Sequence, residues 1–513
     1  MARLSQGSTR DLWQFLTGAT RPQELIAMQL HQYKFLLTTG LSYYKQPSNP
    51  SGELLEKELK HQIRAEQKEA VKKLSQFLGL DEIITYDIYR LYLQHDYRGS
   101  QKDLQTMLGE DRHMRALVLR TRDFYFSERL YLLRCIKHIL SKWQHEGYRY
   151  QEVFFDFLED VNKDNALIEN VLDQYEMVCS TTAPSLDTYG NYMTEEQAVL
   201  WLKQNLREQI ELLQIMMYYY KDFQHPLPKL GKVLKQFKDQ GFGRHQLNKH
   251  LLDETTELAV ECIGGLQVLL ILEGLDLEFF YVCMEDNDFS RHHVLSESRV
   301  TQEFETHVKT LGESVHHGPI LLAWSVISHL SVGYESESLS KRLGNHALQL
   351  DVFRYLSAAL GMEVFDDKAL SEMSHSIVYG LLTIVLKTFE KDTLGDTEAL
   401  YDIVAKVLSQ TCVAEDFWDK GLQEGIGPLF QAVCCYFPLQ FRPLLQLATA
   451  LASANSDSAA KVSRHLQHLQ YYTEWLDRYA SDELEATNDL VWQLRKQKMP
   501  YGTVPLCYLM FCA

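Results

Sequence analysis

The sequence is poor in chain breakers. Its 26 glycines and 12 prolines make up about 7% of 513 residues, against roughly 12% in an average protein. So few breakers argue against a many-turned all-β fold and favour long helices. Catalytic loop motifs are missing as well. There is no Gly-x-Ser-x-Gly elbow, no Gly-Lys-Ser/Thr phosphate loop and no kinase signature set. His145-Glu146 opens like a zinc-protease motif, but Arg149 stands where the second histidine is needed. No Asn-x-Ser/Thr acceptor with a permitted middle residue occurs, and Met1 to Trp13 holds no apolar signal core. The nine cysteines are odd in number and scattered without a disulfide framework, which suits a reducing compartment such as the cytosol or nucleus. No run of 18 uncharged apolar residues exists, so no transmembrane segment is expected. The nearest stretch, Pro428 to Ala454, is broken by Pro438, Arg442 and Pro443 and reads as two short buried helices.

Positive charge is also scarce. Lys and Arg number 51 against 69 Asp and Glu, a net charge of −18. That balance repels phosphate backbones, so direct nucleic-acid binding is not expected. The most basic stretch, Lys57 to Lys73, is interrupted by Glu58, Glu66 and Glu69.

What the chain does have is helical period, many times over. In Thr194 to Tyr220, the residues Val199, Leu202, Leu206, Ile210, Leu213 and Met217 recur at steps of three and four, one apolar stripe. Lys203, Arg207, Glu208 and Glu211 are expected on other faces. Thr194 with Gln197 spells a capping box, and Pro226 and Pro228 are expected to stop the helix. Glu53 to Leu78 repeats the pattern with Leu55, Leu59, Ile63, Ala70 and Leu74 on one side and Gly79 as the closing residue. Leu80, Ile84, Ile88 and Leu91 then mark the next helix. Ile320 to Leu330 and Ile377 to Leu386 are apolar almost all round, so they must be covered on most sides. Short polar breaks of 2–10 residues separate roughly twenty helices, the lengths of antiparallel helix pairs. The expected fold is all-α: an irregular α-solenoid, a HEAT/ARM-like superhelical stack of degenerate two-helix repeats in which each pair needs the next. The helical domain is expected over 1–490. Residues 491–513 read as a non-helical or strand-like ending, apolar from Leu506 to Cys512.

Residues with chemical potential have structural readings. Cys434-Cys435 sits in an apolar helix and reads as small buried hydrophobes. His292-His293 and His316-His317 would point about 100° apart on a helix, so one ion cannot easily take both; the second pair reads as helix-start packing. Gly241-Phe242-Gly243 and Gly425-Ile426-Gly427 read as helix caps. Glu363, Asp366 and Asp367 read as a helix N-terminus. Paired tyrosines such as Tyr471-Tyr472 read as half-buried packing. No catalytic, cofactor-binding or metal residue is assigned, and no enzyme activity is expected.

Several blocks, in order, resemble one family. They are Leu41 to Lys45, Phe77 to Glu82, Asp96 to Gly99, Gln240 to Gly243, Asp253 to Thr255, His316-His317 with Leu321 to Trp324, Leu348 to Leu350 with Val352-Phe353, Tyr379 to Leu382, and Pro443 to Leu447. Together they look like the N-terminal part of the 188-kilodalton scaffold nucleoporins of the nuclear pore inner ring. That resemblance implies a non-enzymatic α-solenoid at the nuclear envelope, supporting nucleocytoplasmic transport alongside other scaffold and linker nucleoporins. It also implies a small SH3-like β insertion, which the ending near Val504 could begin. At 59.6 kDa the chain has about a third of the family's mass, so the family's C-terminal linker-binding tail is expected to be absent. The alternative is a karyopherin-like transport receptor or trafficking adaptor that binds Phe-Gly repeats. Phe242-Gly243 is the chain's sole Phe-Gly pair, so the chain itself is not a Phe-Gly repeat protein.

Overall fold

The computed structural model describes residues 7–19, 26–43, 55, 57, 63–143, 145, 147–180, 194–221, 227–247, 249–332, 337–437 and 440–467. Among these there are α-helices and short 3-10 turns and no strand, so the fold is all-α. The ending at 491–513, with its expected β insertion, lies outside the described residues, as does most of the helical reading over 53–62.

The chain falls into two compact units. The first comprises Met1–Phe223 with Gln236–Leu270, the second Gln224–Lys235 with Ile271–Ala513. In the first, the helix Asp111–Trp143 is the organising element. Thr9–Leu16, Gln101–Gly109 and Glu195–Tyr220 all pack on it, and Ala166–Ser180 packs on Glu195–Tyr220. In the second, helices that are not consecutive meet in rows. Val352–Ala359 packs on Thr397–Leu408, which packs on Phe441–Ala454. Leu277–Glu285 and Gly318–Val332 pack on Lys368–Thr388, which packs in turn on Thr411–Lys420. Each helix thus buries its apolar face on neighbours within a stack, the packing of helical-repeat proteins.

Local sequence explains many of the boundaries. Thr194 Oγ1 accepts from the Gln197 N–H at 3.4 Å, and Gln197 Oε1 accepts from the Thr194 N–H at 3.1 Å, so the box starting Glu195–Tyr220 is formed. Gly79 closes Ala65–Leu78 with φ 66°. Asp81 then starts Glu82–His95, accepting from the Ile83 N–H at 2.9 Å, and Leu80, Ile84, Ile88 and Leu91 are all buried. Asp367 caps Lys368–Thr388, the role expected of that acidic group. Gly241, Phe242 and Gly243 all take positive φ, turning the chain sharply after Leu227–Asp239 while Phe242 is buried. A Cβ on Gly243 would stand 2.9 Å from the Val260 carbonyl oxygen, so only glycine fits there.

Some boundaries differ. Pro228 does not end a helix; it lies in the first turn of Leu227–Asp239, where its missing N–H costs nothing. Val199 and Ile210 are only half-buried, whereas every residue from Glu211 to Tyr220 is buried. Glu208 and Glu211, expected off the apolar stripe, are buried as well. Two stretches, Glu254–Glu285 and Lys368–Thr388, are long and apolar enough to cross a membrane, although neither is free of charge. Their apolar windows are 72% and 67% buried within the protein, the burial expected of core helices.

Candidate functional site

Glu208 and Glu211 are buried because the long helix presents cations to them. Arg129 Nε lies 3.0 Å from Glu208 Oε1, with side chains only 1% and 2% exposed. Glu211 receives Arg134 at 3.4 Å and Lys137 at 2.5 Å, and Lys137 also donates to Gln214 at 2.7 Å. These contacts bind Asp111–Trp143 to Glu195–Tyr220 along their shared seam. The same long helix holds the N-terminal helix. Glu128 Oε2 accepts from the Thr9 N–H at 2.7 Å and from Thr9 Oγ1 at 2.9 Å. Burial raises the Glu128 carboxyl, and the hydrogen bonds from Ser8 and Thr9 work against that rise.

Beside that seam runs an open groove of about 430 Å³. Leu130, Tyr131, Leu200 and Trp201 give it an apolar lining. Arg122, Arg134 and Arg207 line it too, against the single acid Asp123. The Arg122 guanidinium lies 6.0 Å from the Phe126 ring and that of Arg134 5.9 Å from the Tyr131 ring. A second groove of about 530 Å³ flanks the same helix, but there Arg10, Arg98 and Arg120 are balanced by Asp96, Asp103, Asp123 and Glu128. Charge counting over whole segments misses the first groove. The signal was still present: Asp111–Trp143 carries eight Lys and Arg against three Asp and Glu, a larger surplus than Lys57 to Lys73.

The residues singled out for chemistry are dispersed. Cys434 is buried, and burial pushes its thiol up to about 12, although His465 Nε2 lies 3.6 Å from its sulfur. A thiol held protonated at neutral pH is a poor nucleophile. Cys435, read as buried from sequence, is exposed because it falls on the outer face of Gly427–Tyr436. His316 and His317 are buried at the start of Gly318–Val332, as expected. His292 and His293 follow a short 3-10 turn rather than lying on a helix, so the angular argument against a shared ion does not apply. Ligand atoms of Asp276, His292 and His293 come within 4.8 Å of one another and could approach one cation. Each nevertheless has a local role. His292 Nε2 bonds the Asp276 carbonyl and His293 Nε2 the Gly274 carbonyl, both at 3.1 Å. Asp276 accepts from the Phe279 N–H and caps Leu277–Glu285. The trio closes a helix corner: His293 satisfies the Gly274 carbonyl at a helix end, and His292 adds a second bond to the Asp276 carbonyl, which already accepts from the Phe280 N–H at 2.9 Å.

The comparisons with known proteins decide the family. The profile described as "Nucleoporin Nup188, N-terminal" matches residues 26–485. The chain belongs to this Nup188 N-terminal family. Human "Nucleoporin NUP188" is 35% identical over 497 residues, 96% of this chain and 28% of the relative. The Xenopus tropicalis protein of that name is 32% identical over 504 residues, 97% and 29%. The Drosophila melanogaster "Nucleoporin Nup188" is 24% identical over 464 residues, 88% and 24%. The chain therefore spans less than a third of the length of these relatives. Both grooves fall largely or wholly within the Nup188-matched residues. Several residues that carried the resemblance sit at helix corners: Gly79 and Asp81, Gly241 to Gly243, and Asp253, whose carboxylate accepts from the Thr256 N–H at 2.8 Å. Others, such as Leu321 to Trp324 and Tyr379 to Leu382, pack in helix interiors, with all but Gly380 buried.

Proposed function

We propose that the chain is a structural, non-enzymatic scaffold element of the nuclear pore inner ring, supporting nucleocytoplasmic transport from the nuclear envelope. The observation that carries this reading is family membership across residues 26–485. The helical stacks add physical support, because they give broad, rigid side-chain surfaces suited to holding partners. The nearest thing to a reactive pair, Cys434 with His465, holds its thiol protonated. Residues 1–490 are proposed to act as one helical domain, and other scaffold and linker nucleoporins are the proposed partners. Binding to Phe-Gly nucleoporins would belong to the transport-receptor alternative.

Cross-linking mass spectrometry on isolated nuclear envelopes tests the proposal. Abundant links from this chain's lysines to other scaffold nucleoporins are expected. Links confined to transport receptors and their cargo would favour the receptor reading and overturn this one.

A further inference from the structure

The groove between Asp111–Trp143 and Glu195–Tyr220 has no assigned occupant. Its volume lies within the 300–1,000 Å³ range of ligand clefts. Two features set it apart. The first is charge: three arginines face one acid, on a chain whose net charge is −18. Asp123 is occupied by Arg122, at 2.6 Å from its Nη2. Arg134 shares Glu211 with Lys137. Arg207 is exposed and has no ion-pair partner among the described residues. A local surplus of positive charge is left at the groove mouth. The second is apolar surface in the same place: Leu200 is 59% exposed, and Trp201 and Tyr131 are half-buried beside it.

We propose that this groove docks a short acidic segment of a partner protein, one that carries an aromatic or large aliphatic side chain next to its carboxylates. The apolar side chain would cover Leu200 and Trp201. The carboxylates would meet Arg207 and the free edge of Arg134. A guanidinium presents its N–H groups in one plane, the geometry that carboxylates accept in pairs. A long polyanion fits less well. A nucleic acid or an anionic membrane extends past the groove and meets the chain's excess of carboxylates, whereas a short peptide feels mainly the local field.

The test uses the purified full chain and is independent of pore assembly. Random displayed peptides are selected on it, and the recovered sequences are synthesised and measured by fluorescence polarisation. Enrichment of Asp and Glu beside Phe, Tyr, Trp or Leu is expected, with affinity falling as salt rises. The exposed-site variant Leu200→Ser/Arg207→Glu should keep its helicity and bind the selected peptide about tenfold more weakly or worse. A selected pool that is neutral or basic, or equal binding by the variant, overturns the proposal. So does tighter binding of a short DNA duplex or a phosphatidylserine vesicle at physiological salt, since it would make the groove a phosphate-binding surface.

Discussion

Removing one charge from the buried Arg129–Glu208 pair should loosen the first unit far more than removing both. The two side chains are 1% and 2% exposed and 3.0 Å apart, joining helices whose paired residues are 79 positions apart in sequence. Glu208→Gln keeps the shape of the side chain and deletes its charge. The Arg129 guanidinium then loses the Glu208 charge in a site closed to water. Breaking a buried pair on one side costs about 3–5 kcal/mol, a factor of roughly 10²–10⁴ in the opening equilibrium. The double variant Arg129→Met/Glu208→Leu replaces both charges with apolar groups and should recover most of that loss, because the desolvation cost disappears with the ions. Hydrogen exchange followed by mass spectrometry reads the effect locally, in peptides from 111–143 and 195–220. Protection there should fall by at least about two orders of magnitude in Glu208→Gln and largely return in the double variant. A single variant that exchanges like the parent, or a double variant as bad as the single, would refute the reasoning.

Three other outcomes follow. Leu206, 0% exposed, should not tolerate Leu206→Asp, which should cost at least about 3 kcal/mol; half-buried Ile210→Asp should cost clearly less, and equal urea midpoints would contradict that ranking. Gly243→Ala should destabilise by about 1–3 kcal/mol, since φ is 83° and the new methyl meets the Val260 carbonyl; an unchanged melting temperature would show that the corner can relax. Acidification should weaken the second unit. Burial lowers His292 from 6.5 to about 4, so it stays neutral when folded and protonates on unfolding; burial lowers His375 in the same direction. Unfolding then takes up protons, and stability falls as pH drops from about 6.5 toward 4. Exchange protection over 277–388 that stays level across that window would contradict this.

Local features were legible in the sequence. The Thr194–Gln197 box, the Gly79 turn and the Leu80 to Leu91 stripe each depend on residues within a few positions, and each was found in place. The misreadings came from distance. Glu208 and Glu211 look solvent-facing by helical period, because Arg129, Arg134 and Lys137 come from a helix some 74–79 residues earlier. The 100° spacing of His292 and His293 holds only on a helix, whereas an αL residue at Asp276 and a 3-10 turn place them at a corner. The positive groove was hidden because its arginines come from two helices and a net charge of −18 conceals a local surplus. Cys435 shows the limit of reading an apolar helix as buried all round, since its helix is only ten residues long and keeps an outer face.

The proposed scaffold role makes the chain a fixed part of a pore wall rather than a visitor to it. Photobleaching of a fluorescently tagged chain at the nuclear rim tests this most directly. Recovery over many hours, as expected of a built-in scaffold subunit, is the predicted result. Recovery within seconds, at the pace of exchanging transport receptors, or no accumulation at the rim, would contradict it.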